Sequence, residues 1–217
     1  MHFLDTIFNA IFPSSCAACG TSGTDLCRKC LYGFPKAERE NEDWIFPLFD
    51  YRHPPVQKSI WLLKYKGHKG LANIFAEAMH GKMMEELSEL SLMENFREPV
   101  LIPVPLSKRR YRERGYNQAE LICEELMKID GRENNFKLEK DVLLKTKETE
   151  HQTNIKDRSD RLKNLAGSFS VKDNRMVKGR NIILVDDVTT TGATLNEAKR
   201  TLEKAGARKV IAFTVAH

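Results

Sequence analysis

Residues 181–194, NIILVDDVTTTGAT, constrain the fold more than any other stretch of the chain. Ile182-Ile183-Leu184-Val185 is apolar throughout, with no polar alternation. A strand open to water on one face alternates in polarity. One that does not is covered on both faces, as in a parallel sheet between two helical layers. The run ends in Asp186 and Asp187, passes through a threonine-rich turn, and enters a helical pattern with Leu195, Ala198 and Leu202 on one face. The chain order is strand, polar turn, helix, and in an open α/β sheet the carboxyl end of such a strand is where ligands bind.

The residue types in the turn suit a phosphate. A helix N-terminus offers unpaired N–H groups and a partial positive charge. Gly192 lets the backbone approach closely, and Thr190, Thr191 and Thr194 add hydroxyl donors. The carboxylate pair suits ribose hydroxyls or Mg²⁺. A ligand with a 5′-phosphate, a ribose and a metal-bound pyrophosphate satisfies these groups together. The plainer alternative is a Thr-capped helix after an ordinary strand. Strand, acid pair, glycine and cap residues agree better on the ligand site. Its candidates are Val185, Asp186, Asp187, Val188, Thr189, Thr190, Thr191, Gly192, Ala193 and Thr194.

A second constellation lies near the N-terminus. Cys16-x2-Cys19 and Cys27-x2-Cys30 form paired knuckles, with seven residues between them. Four thiolates on two tight turns are a ligand set for tetrahedral Zn²⁺. With every position filled by Cys, the site is structural and has no open coordination position. Disulfides are the bland alternative, but nothing marks the chain as secreted. The fifth cysteine, Cys123, falls on the apolar side of a predicted helix and reads as a core thiol.

The length of 217 residues allows one sizeable α/β domain and a small appendage. We expect an N-terminal helix and cysteine module over residues 1–36 and the main domain over 44–217, joined by the charged stretch KAERENED. Phe3, Leu4, Ile7, Phe8, Ile11 and Phe12 recur at helical spacing, without the positive flank of a targeting segment. No stretch is long enough to span a membrane, so the expected location is the cytoplasm. The net charge of +5 is compatible with anionic ligands or nucleic acid and selects neither.

Periodicity predicts an extended segment over 44–51, a helix opened by Pro54-Pro55, and a longer helix from Leu71 towards Leu90. A strand follows at 100–104, a helix at 117–128, and strands at 142–144, 167–171 and 210–215. Alternating strands and helices in the second half argue for a mostly parallel sheet.

Two further elements accompany the main signature. Val104, Pro105, Leu106, Ser107 and Lys108 form a proline-stiffened turn after a strand, a candidate pyrophosphate loop. Residues 145–167 form a long polar stretch, and such stretches inside compact domains are lids or solvated loops.

VDDVTTTGAT closely resembles the binding signature for phosphoribosyl pyrophosphate (PRPP) in type I phosphoribosyltransferases. With Lys64-Tyr65-Lys66-Gly67, PVPLSKRRYRERGYNQ, T-x-x-T-E-x-Q-T (146–153) and Arg161-x-x-Asn164-x-x-Gly167-x-Phe169, the chain resembles the ComF family. These are late-competence proteins in which a zinc ribbon is fused to a phosphoribosyltransferase domain. The resemblance implies Asp186 and Asp187 on ribose and Mg²⁺, residues 104–108 on pyrophosphate, and Gln152, Arg158 or Arg161 closing over the leaving group. It also implies a role in DNA uptake beside competence proteins such as a helicase. The turn departs from amidophosphoribosyltransferases in lacking their glycine.

Other readings stay open. Lys64, Lys66, Arg109, Arg110, Arg112 and Arg114, interleaved with aromatics, suit single-stranded DNA or only a solvated face. The pocket could also serve a PRPP or nucleotide sensor, or a scaffold, without turnover.

Overall fold

The computed structural model describes residues 14–38, 42–131, 133–147 and 167–217. In chain order its elements are α1 (Arg28–Tyr32), β1 (Ile45–Phe49), α2 (Pro54–Tyr65), α3 (Gly70–Glu94), β2 (Val100–Pro103), α4 (Lys108–Arg114), α5 (Gln118–Asp130) and β3 (Lys137–Leu138). There follow β4 (Leu143–Lys145), β5 (Phe169–Val171), a 3₁₀ turn (Asn174–Met176), β6 (Asn181–Val188), α6 (Ala193–Lys204) and β7 (Lys209–Ala216).

Five strands form a parallel sheet in the order β1-β7-β6-β2-β3. β6 lies between β7 and β2, and Ile182 to Val185 are fully buried, which is why the run carries no polar alternation. Side chains alternate across a strand. Ile183 and Val185 join the core under α2, α3 and α5, with Leu63, Phe75 and Ile122. Ile182 and Leu184 join the core under α6, with Leu195, Ala198 and Leu202. The same alternation sends the Asp186 and Asp187 carboxyls to opposite faces at the strand's end.

The segment before β1 is tied to this sheet. Cys16, Leu26, Leu31 and Phe34 belong to the same buried cluster as Phe49, Val56 and Leu71. Arg28 pairs with Glu77 of α3 through two hydrogen bonds, and His68 lies 2.8 Å from Asp25. Ala37 N–H donates to Leu48 O, and Lys36 bridges to Phe49, so part of the charged linker runs along β1.

Periodicity missed several features. The basic run 108–114 is a helix, capped by Ser107, whose Oγ accepts Arg110 N–H at 3.4 Å, and ended by Gly115 at φ +77°. The second cysteine knuckle opens α1 rather than a plain turn. β4 and β5 form a separate antiparallel ribbon. The N-terminal apolar segment lies outside the described residues. No helix among the described residues is long and apolar enough to cross a membrane.

Candidate functional site

The carboxyl ends of β2 and β6 meet at one hydrogen bond, from Val104 N–H to Val185 O at 2.9 Å. This joins the proline turn to the acid pair. Asn117 fixes the turn from behind: its Nδ2 donates to Val104 O at 3.0 Å while its Oδ1 accepts Ala119 N–H, capping α5. Of the turn residues, Ser107 is buried, Pro105 and Leu106 are half-buried, and Lys108 is exposed at the start of α4. Asn117 was not singled out as functional, although an Asn before an apolar helical stripe is a recognisable cap.

Asp187 is buried, and its Oδ1 lies 2.7 Å from Lys64 Nζ, which reaches it from the last turn of α2. The sequence grouped Lys64 with the candidate nucleic-acid cations, and the structure pairs it with Asp187. The lysine side chain is only 17% exposed and faces into the cleft. Asp186 Oδ1 accepts Asp187 N–H at 2.8 Å. Desolvation, then the adjacent Asp187 charge, pushes the Asp186 carboxyl up to about 7, against the pull of Lys64 and Lys145.

Beyond the pair, Val188 ends β6 and buried Thr189 donates its N–H to Ala216 O at 3.0 Å. Residues 188–195 and Asp186 then line a small recess of about 30 Å³. Thr190 is exposed, Thr191 and Thr194 are half-buried, and Ala193 starts α6. Gly192 caps the helix at φ +69°, where a Cβ would come within 3.2 Å of Asn196 Nδ2 and 3.4 Å of Glu42 Oε1. Glu42, read as linker, instead accepts from Asn196 at 2.8 Å and from Trp44 at 2.6 Å.

The polar stretch after Lys145 leaves from the β4–β5 ribbon. Thr146 N–H donates to Ser168 O, and Gly167 N–H to Glu197 Oε1 at 2.6 Å, so its two ends are held side by side. Gln152, Arg158 and Arg161 lie outside the described residues.

The cationic face is arranged around rings. Arg114 stacks over Tyr65 at 5.0 Å and donates to Tyr65 Oη and to Gln118, while Lys66 lies 5.2 Å over Trp61. Trp61, Tyr65 and Tyr111 are each about half exposed. Arg109 pairs with Glu113, and Arg112 Nε donates to Lys108 O.

At the other end, Cys16, Cys19, Cys27 and Cys30 place their sulfurs within 4.8 Å of one another. The Cys19–Cys27 separation of 3.8 Å is the edge expected of a sulfur tetrahedron with metal bonds of about 2.3 Å. The Thr21 hydroxyl, then its N–H, holds Cys19 down at about 6, while Cys27 and Cys19 push Cys30 up to about 12. Crowded thiols of this kind ionise together only around a cation, so the donor set fits zinc. Cys123 is fully buried, and burial raises its thiol.

Residues 136–217 match the phosphoribosyl transferase domain model. The sheet, with the acid pair and threonine turn at its carboxyl edge, is accordingly a phosphoribosyltransferase fold. The chain is 40% identical over 200 residues to competence protein F of Haemophilus influenzae, covering 88% of this chain and 81% of that one. It is 34% identical over 212 residues to competence protein ComFC of Streptococcus pneumoniae, covering 97% and 84%. DNA utilization protein YhgH of Escherichia coli O6:H1 is 29% identical over 198 residues, with 90% and 80% covered.

Proposed function

The chain belongs to the ComF family, and on that premise we propose that it binds Mg-PRPP, or a related phosphoribosyl ligand, and acts in DNA uptake during natural transformation. The observation that carries the reading is the Val104–Val185 hydrogen bond, which sets the proline turn beside the acid pair and the threonine recess. The recess takes the 5′-phosphate on the N–H groups of the first turn of α6. Asp186 and Asp187 take the ribose hydroxyls and hold Mg²⁺, and residues 104–108 receive the pyrophosphate. Bound Mg²⁺ offsets the charge of the leaving pyrophosphate.

Turnover is displacement of pyrophosphate from C1 by a nucleophile: the bond to the leaving oxygen breaks and one to the acceptor forms. The protein's part is positioning and charge stabilisation of an oxocarbenium-like transition state. Gln152, Arg158 and Arg161 are the proposed groups that close over the leaving group. We place this work in the cytoplasm, beside competence proteins such as a helicase.

Isothermal titration of Mg-PRPP tests the reading. Saturable binding that Asp187→Asn removes is the expected result, followed by a screen of acceptors for pyrophosphate release. Saturable binding without release in any screen favours a PRPP sensor. No binding at millimolar PRPP overturns the reading.

The cation-flanked Trp61 and Tyr65 favour a second role, stacking of single-stranded DNA on the face of α2 and α4. Trp61→Ala with Arg112→Ala should weaken single-stranded DNA binding and flatten its salt dependence. Unchanged affinity and slope would leave that face without this role.

A further inference from the structure

Lys64 lies outside the threonine turn, the proline turn and the long polar loop, yet it makes the ion pair at the centre of the site. Its Nζ is 2.7 Å from Asp187 Oδ1, and the side chains are 17% and 9% exposed. A lysine normally keeps its ammonium in water. Placing one here is favoured by the carbonyl end of α2, which attracts a cation in its last turn.

Two adjacent residues bring this lysine and the proline turn together. Tyr116 Oη donates to Leu63 O, the carbonyl immediately before Lys64. Asn117 Nδ2 donates to Val104 O, the carbonyl that opens the turn. Arg114 adds a hydrogen bond to Tyr65 Oη at 3.2 Å, on the other side of Lys64. The end of α2 is therefore braced by the same corner that shapes the turn. Gly67, at φ +73°, then lets the chain leave α2 towards α3.

On the phosphoribosyl reading, a ribose-bound metal or the ribose hydroxyls compete with Lys64 for the Asp187 carboxylate. Ligand binding therefore releases the ammonium next to the turn. A pyrophosphate there carries several negative charges beside two carboxylates, so a freed ammonium is attracted to it in addition to Lys108 of the turn.

We infer that Lys64 is a ligand-binding residue of this site, holding Asp187 while the site is empty and transferring to the ligand's pyrophosphate when Asp187 engages the ribose. The inference rests on the phosphoribosyl reading above and adds a cation to it from outside the threonine turn, the proline turn and the long polar loop.

The test compares Mg-PRPP, Mg-pyrophosphate and ribose 5-phosphate by calorimetry on the full chain, with Lys64→Met and Lys64→Arg. Lys64→Gln, which keeps a hydrogen bond to Asp187, serves if the methionine variant fails to fold. The neutral variants should lose about tenfold or more in affinity for PRPP and pyrophosphate, the size of one charge-assisted hydrogen bond. Ribose 5-phosphate should bind as tightly as before or more tightly, because its competitor for Asp187 is gone. Lys64→Arg should recover most of the loss. Equal losses for PRPP and ribose 5-phosphate would make Lys64 a structural counter-ion only and overturn the inference, as would PRPP affinity unchanged in the neutral variants. A wild-type chain that binds none of the three overturns the phosphoribosyl reading itself, and this inference with it.

Discussion

Asp186 accepts the N–H of Asp187 through Oδ1 at 2.8 Å, while the two carboxyl groups leave β6 on opposite faces. Lys64 pairs with Asp187 and also pulls on Asp186, with Lys145 a weaker attraction, so the two carboxyls share one principal cation.

This arrangement makes stability depend on pH. The folded Asp186 carboxyl is raised to about 7 from an ordinary value of 3.8, first by desolvation and then by Asp187. A group raised on folding contributes stability that is complete below about pH 4 and is lost as pH climbs through 7. Thermal melts without added magnesium should show wild type losing ground to Asp186→Asn between those values, by roughly 3 °C or more at pH 8. Asp50, Asp173 and Glu125, whose carboxyls are lowered, act in the opposite sense at more acid pH, and both chains share them. A difference curve that stays flat from pH 4 to 8 would remove the raised carboxyl from the site.

Asn117→Ala takes away a helix cap and a buried donor at once. The expected cost is about 1–2 kcal/mol by chemical denaturation, because Val104 O is then buried without its side-chain partner. Asn117→Asp keeps the cap acceptor and loses the donor, so it should recover only part of the stability. Equal stability of all three chains would mean the proline turn holds its shape unaided.

Much of this architecture was readable because burial imposes periodicity. The run Ile182 to Val185, the stripe Leu195, Ala198 and Leu202, and the stripe beginning at Leu71 are each written by one repeating environment. α4 was not readable, since none of its residues is buried and its limits are set by Ser107 and Gly115 alone. β3, two residues long, is too short to show a period. The Lys64–Asp187 pair was hidden for a different reason. The two residues are far apart in the chain, and a lysine near Trp61 and Tyr65 reads as surface until the fold turns it inward. Glu42 shares that fault, sitting in a charged stretch whose composition says linker while its carboxylate bonds Trp44 and Asn196.

Gly192→Ala tests the threonine recess with the smallest change available. The position is at φ +69°, so any side chain costs about 1–2 kcal/mol of backbone strain. The added methyl would also press on Asn196 and Glu42, which brace the start of α6. We expect a measurable loss of stability together with loss of PRPP binding in calorimetry. A destabilised variant that still binds PRPP normally would separate the recess from the 5′-phosphate.

The cysteine module makes a prediction that needs no substrate. Four sulfurs within 4.8 Å, one thiol held low and another pushed high, describe ligands that become fully ionised only around a cation. Purified protein should carry about one zinc per chain. Chelation should make Cys16, Cys19, Cys27 and Cys30 reactive to alkylation, whereas buried Cys123 stays protected until the main core unfolds. Because Asp25 and Arg28 dock the module on His68 and Glu77, chelation should also loosen the N-terminal half of α3, read as faster amide exchange there. Metal analysis that finds no zinc, with all four thiols alkylated and exchange in α3 unchanged, would reduce the cluster to free cysteines.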